Sequence, residues 1–93
     1  MRVLGIDFGD KHVGLALSDQ LGITVGPLDS YTLTGRHDQD GKHFLALIEK
    51  HDISEIVIGL PLRMDGTEGT RVAKTMEFAA WLKNVVKKPV VFM

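Results

Sequence analysis

Apolar positions fall along this chain in short bursts with two different periods. Val3-Leu4-Gly5-Ile6-Asp7-Phe8 is a compact apolar run closed by Gly9-Asp10. It predicts a buried strand over residues 3–8 that ends in a tight turn. Over residues 12–18 the period is two: Val13, Leu15 and Leu17 share one face, while Gly14 and Ala16 share the other, where small residues permit close approach. Two strands parted by Gly-Asp-Lys form a hairpin. Asp19-Gln20-Leu21-Gly22 makes a second turn, and residues 23–33 supply a third strand interrupted near Pro27.

The period then changes. After the polar stretch 34–42, Phe44, Leu45, Leu47 and Ile48 recur at helical spacing and predict a helix over 38–51, with Asp38 or Asp40 capping or charging its first turn. Ile56-Val57-Ile58 is a β-branched strand over 55–59. A loop rich in Gly, Pro and polar residues covers 59–69. Val72, Thr75, Met76, Ala79, Leu82 and Val86 predict a second helix over 68–86, and residues 89–93 form a last apolar strand. Helical crossovers favour parallel pairing of the later strands. The expected class is therefore α/β: a mixed sheet of a three-strand antiparallel meander followed by strand-helix-strand crossovers, with helices packed on the sheet.

Composition narrows the function more than the fold. Ninety-three residues, 44% hydrophobic and 25% charged, describe one small domain over residues 1–93 with a thin stability margin. The net charge of -1 offers no bulk attraction for nucleic acid, so any such role must rest on local chemistry. Without cysteine there is neither a disulfide framework nor a zinc-thiolate site. No apolar stretch approaches the roughly 20 residues of a membrane span, and no signal-peptide pattern is visible, which makes a cytoplasmic location the expectation.

Two stretches carry a family resemblance. Gly5-Ile6-Asp7-Phe8-Gly9-Asp10-Lys11-His12-Val13-Gly14 through Asp19, and Ile58-Gly59-Leu60-Pro61-Leu62-Arg63-Met64-Asp65-Gly66-Thr67-Glu68-Gly69, together resemble the YqgF family of Holliday-junction resolvases, also described as pre-16S ribosomal RNA nucleases. The first motif opens many RNase H-like and actin-like folds; the second is more specific. The resemblance implies an RNase H-like sheet, cleavage of phosphodiesters in branched DNA or structured RNA, and Mg²⁺ or Mn²⁺ as cofactor. His12 stands where the family usually has Arg. The family's domain also continues past residue 93, where it carries an acidic pair in an Asp-Glu-Arg motif and a further Asp. The expectation is an RNase H-like domain lacking its C-terminal part, weakly active or inactive alone, with an uncovered sheet edge or surface through which a homodimer would form.

The chemistry implied needs carboxylates converging on hard cations, with two ions about 4 Å apart activating water and stabilising the leaving oxygen. By resemblance Asp7 is the catalytic and metal-binding carboxylate; its bland alternative is a turn-forming Asx residue. Gly9 lets backbone approach a phosphate. Lys11, His12, Arg63 and Arg71, with Lys74, are the candidate substrate-binding residues, each of which read singly is an ordinary solvated charge. Asp65 and Glu68 read as turn and helix-start residues. Phe78 and Trp81 read as helix packing residues rather than base-stacking platforms. Two other classes compete: the phosphate cradle of an actin-like ATPase or sugar kinase, which the first motif suits almost equally well, and a non-catalytic nucleic-acid-binding remnant.

Overall fold

The structure is a computed structural model and describes residues 2–9, 11–19, 25–60 and 69–93. Five strands and two helices follow one another as β1 (Arg2–Phe8), β2 (His12–Ser18), β3 (Val25–Thr32), α1 (His37–His51), β4 (Ile53–Ile58), α2 (Gly69–Val86) and β5 (Val90–Phe92). They make one sheet of order β3-β2-β1-β4-β5. β1 pairs antiparallel with β2, and β2 with β3; β1–β4 and β4–β5 are parallel. The expected mixed sheet is therefore present, with β1 in its middle.

One sheet face carries the core. Leu4 and Ile6 of β1, Val13 and Leu15 of β2, and Ile56 and Ile58 of β4 are buried together with Phe44 and Ile48 of α1 and Phe78, Ala79, Leu82 and Val86 of α2. Both helices thus lie on the same side, as amphipathic elements must when one apolar face is shared. On the opposite face stand Val3, Gly5, Asp7, Gly14, Ala16 and Val57, none of them buried.

Two irregularities depart from the sequence pattern. β3 runs through Pro27, which pairs with Ala16, instead of breaking there. It is an edge strand, so the missing N–H costs no ladder bond. The register shift between Val13 and Leu15 places one extra β3 residue there, which absorbs the irregularity. β4 begins at Ile53, earlier than its β-branched triplet suggests, because a bulge spends one residue at Ser54: Arg2 faces Ile53 but Val3 faces Glu55. The bulge resets the alternation, so that Ile53, Ile56 and Ile58 all point into the core.

The helix ends are set by local hydrogen bonds. α1 starts at Arg36, whose own side chain makes no cap. Thr34 fixes the turn leading into it: its hydroxyl accepts from the Arg36 N–H at 3.0 Å and donates to Asp40 Oδ1 at 2.9 Å. Asp40 Oδ1 also accepts from the Thr34 N–H at 3.1 Å and the Tyr31 hydroxyl at 2.7 Å. Asp40 therefore ties β3 and the connecting turn to the helix start, and is buried in doing so.

Candidate functional site

β1 sends successive side chains to opposite sides of the sheet, and this alternation organises the site. Ile6 enters the core, Asp7 is exposed on the helix-free face, and Phe8 returns to the helix side, where its ring meets Phe78 at 4.6 Å. Asp7 stands near the carboxyl end of the middle strand, where open sheets gather ligands. Directly across on β2 is Gly14. A Cβ there would lie 3.4 Å from Asp7 Cβ, so the glycine keeps the flank of the carboxylate clear. On the other flank the Gly59 N–H donates to the Ile6 carbonyl at 3.1 Å, which carries β4 alongside position 7.

The hairpin turn is as tight as its sequence suggests. A Cβ on Gly9 would sit 2.6 Å from the His12 carbonyl oxygen, so no other residue fits without moving backbone. The same position is 3.8 Å from an Arg71 guanidinium nitrogen, which brings the first turns of α2 over the hairpin. His12 is exposed on the Asp7 face, its Nδ1 3.1 Å from the Thr32 hydroxyl. Lys11 is exposed; its carbonyl accepts from the Leu33 N–H at 2.7 Å, and its side chain leans toward the helix side. Gly14 thus flanks Asp7, His12 shares its face, and Arg71 reaches from α2 to Gly9 at the hairpin, whereas Lys11 and Lys74 line the helix side. Arg63, Asp65 and Glu68, with Asp10 and Pro61, lie outside the described residues.

A two-ion centre needs more than one carboxylate. Among the described residues no three His, Asp or Glu side chains converge closely enough to hold a metal ion. Asp7 fits one ligand position of a hard cation, but the described residues do not amount to a formed metal centre.

Sequence reasoning missed two features. The first is a cavity of about 720 Å³ on the helix side, walled by Phe8, Phe78, Trp81 and His37 with Lys11 and Lys74 at its rim. Trp81 is only half-buried, so it lines a hollow as well as packing the helix. Helical spacing alone gives no hint of this, because the hollow depends on where β1 and the β3–α1 turn end. The second is the Asp40 network. Burial alone would push the Asp40 carboxyl up, but the hydroxyl of Tyr31, the N–H and hydroxyl of Thr34 and the charge of His37 outweigh it and hold the carboxyl below the usual carboxylate range. The bond to Asp40, then burial, then the carboxylate charge push the Tyr31 hydroxyl up to about 12. Next to it His43 stacks on Tyr31 at 3.7 Å with a buried Nε2 that lacks a hydrogen-bond partner; burial pushes its pKa down, against the partial opposition of Asp40.

Comparison with known proteins adds what geometry cannot. A family model described as "RuvX: Holliday junction resolvase" matches residues 1–93. A protein of Acetivibrio thermocellus named "Putative pre-16S rRNA nuclease" is 40% identical over 87 residues, covering 94% of this chain and 62% of that protein. One of Koribacter versatilis with the same name is 42% identical over 89 residues, covering 96% and 58%. The chain spans about three fifths of the length of these curated relatives. Among solved structures, T. thermophilus RuvC in complex with Holliday junction substrate superposes with a TM-score of 0.69 at 17% identity, covering 100% of this chain and 64% of that one. A ROK hexokinase from Thermus thermophilus gives 0.59 at 15%, covering 100% and 35%. At such identities these likenesses speak for the fold, which is RNase H-like, and for nothing finer.

Proposed function

The chain belongs to the RuvX family of Holliday junction resolvases, and on that premise we propose that it is the Asp7-bearing part of a nuclease that hydrolyses phosphodiester bonds in structured nucleic acid, either branched DNA or precursor ribosomal RNA. The observation that carries this reading is the placement of Asp7: an exposed carboxylate at the carboxyl end of the middle strand, with its flank kept open by Gly14. Gly9 and Arg71 at the hairpin mouth, with His12 on the same face, suit phosphate contacts, since backbone-directed cations position a nucleic acid without reading its sequence. Arg63, which lies outside the described residues, is proposed for the same role on the family resemblance alone.

Divalent Mg²⁺ or Mn²⁺ is the proposed cofactor, with Asp7 as one ligand. Mg²⁺ is usually held by one or two carboxylates together with waters and substrate phosphates. With Asp7 the single carboxylate proposed for the centre among the described residues, the 93-residue chain should bind such an ion weakly and cleave slowly or not at all. We place its action in the cytoplasm; no helix among the described residues is long and apolar enough to cross a membrane. Self-association through the helix-free face or the β5 edge would cover apolar surface at Val91, Phe92 and Met93, and sedimentation at several concentrations measures it.

The test of the site is Mn²⁺ binding by calorimetry and electron paramagnetic resonance. One weak site, lost in Asp7→Asn without loss of fold, is expected. Binding unchanged in Asp7→Asn removes the carboxylate from the proposed centre. Metal-dependent cleavage of branched DNA or structured RNA at an ordinary enzymatic rate by the short chain would overturn its predicted weakness. Thermal stabilisation by ATP would instead favour a kinase-like phosphate cradle, which the hexokinase likeness in fold alone does not supply.

A further inference from the structure

The cavity on the helix side is not part of the Asp7 centre, because Phe8 lines it and Asp7 projects the opposite way. Its wall is a run of rings. Phe8 meets Phe78 at 4.6 Å, Phe78 meets Trp81 at 5.7 Å, and Trp81 meets His37 at 5.2 Å. Phe78 is buried and anchors the run, while Phe8 and Trp81 are half-buried and His37 is exposed. Lys11 from the hairpin and Lys74 from α2 stand at the rim.

We propose that this hollow is a subsite for one unpaired nucleotide of a structured nucleic acid, its base stacking on the Phe8–Trp81–His37 wall and its phosphate meeting Lys11 and Lys74. The proposal rests on the nucleic-acid reading above and extends it to a second place on the molecule. Three observations favour this occupant. A volume of about 720 Å³ suits one nucleotide, as small-ligand pockets run to several hundred Å³. Flat π-faces stack on aromatic rings whatever the base, and a base held inside a duplex cannot offer its face to a side wall, so the occupant must be unpaired. The lining also carries two cations, Lys11 and Lys74, beside two carboxylates, Asp40 and Glu77. Asp40 Oδ1 is engaged by three hydrogen-bond donors within the protein, so Lys11, two residues after Gly9 on the hairpin, and Lys74 on α2 are the groups placed to meet a phosphate. A strand crossing the hairpin would touch both sides of the sheet, the scissile region near Asp7 and an extrahelical base near Trp81.

Trp81 is the single tryptophan of the chain, so its fluorescence reports on this hollow directly and without catalysis. The probes are an RNA hairpin with one bulged adenosine, the same hairpin with that base removed, a fully paired hairpin, and adenosine monophosphate. We expect the bulged hairpin to quench Trp81 and to bind about tenfold more tightly than the abasic one, from the usual range of base stacking. His37→Ala, an exposed substitution checked for fold by circular dichroism, should shrink that difference several-fold, Lys74→Ala should weaken bulged and abasic hairpins alike, and Asp7→Asn should preserve the difference. Equal affinity for bulged and abasic hairpins without quenching overturns the subsite while leaving nucleic-acid binding intact. Quenching by the mononucleotide with no binding of any hairpin overturns the proposal together with the nucleic-acid reading beneath it.

Discussion

Outside the Asp7 centre, Asp40 is the buried carboxylate on which several hydrogen bonds converge. It accepts from the Tyr31 hydroxyl and from both the N–H and the hydroxyl of Thr34. Asp40→Ala removes the acceptor of the Tyr31 hydroxyl and of the Thr34 N–H, two part-buried hydrogen bonds. It should cost about 2–3 kcal/mol by urea unfolding. The pH dependence has a definite sign. The Asp40 carboxyl is depressed in the folded chain, so its contribution is complete above the unfolded value near 4 and is lost as pH falls through the lower folded value. Tyr31 is raised to about 12, so its contribution is complete below about 10 and is lost as pH climbs from there to about 12. His43 is depressed, so stability should also decline as pH drops below about 6.5, where the unfolded imidazole takes up its proton first. Asp40→Ala should flatten the alkaline decline; an unchanged alkaline limb would mean that Tyr31 owes its shift to something else. The sequence put Asp40 in the first helical turn but could not show its partners, because Tyr31 reaches it from the far end of a strand.

Among the elements, α2 ends on a residue the backbone does not favour. Lys87 adopts φ 57°, with its N–H bonded to the Lys83 carbonyl at 3.0 Å. A side chain in this left-handed conformation is strained, and glycine is the usual residue there. Lys87→Gly should add about 0.5–1 kcal/mol, seen as a melting temperature higher by about 3–6 °C. A fall in melting temperature would mean that the lysine side chain contributes more than its backbone costs. Asp52 closes α1 in the same way at φ 52°, but aspartate tolerates this region better. The order and type of the seven elements were legible because each burst of apolar residues keeps a single period. The path of β3 through Pro27 was not, since only its place at the sheet edge makes the proline harmless. The early start of β4 was not either, since a bulge is invisible to a reading based on alternation.

For the whole molecule, one ring cluster links sheet to helices. Phe44 is fully buried and meets Tyr31, His43, Phe78 and Trp81 edge-on at 5.5–6.3 Å. Phe44→Ala should cost about 3–5 kcal/mol, a large part of the stability of a 93-residue domain; chemical denaturation measures it, and a loss below 1 kcal/mol would mean the cluster closes over the gap. The place of Asp7 was readable from a strand that ends in a glycine turn. The aromatic hollow was not, because it forms only where β1, the β3–α1 turn and α2 meet. The bulge at Ser54 has its own consequence for how this gene can change length. Losing one codon from a strand normally inverts every side chain on one side of the loss. Removing codon 54 alone would join Ile53 to Glu55 in unbroken in-and-out order and keep all three isoleucines facing inward, which makes it the position in β4 where a shortening can pass without turning the strand over.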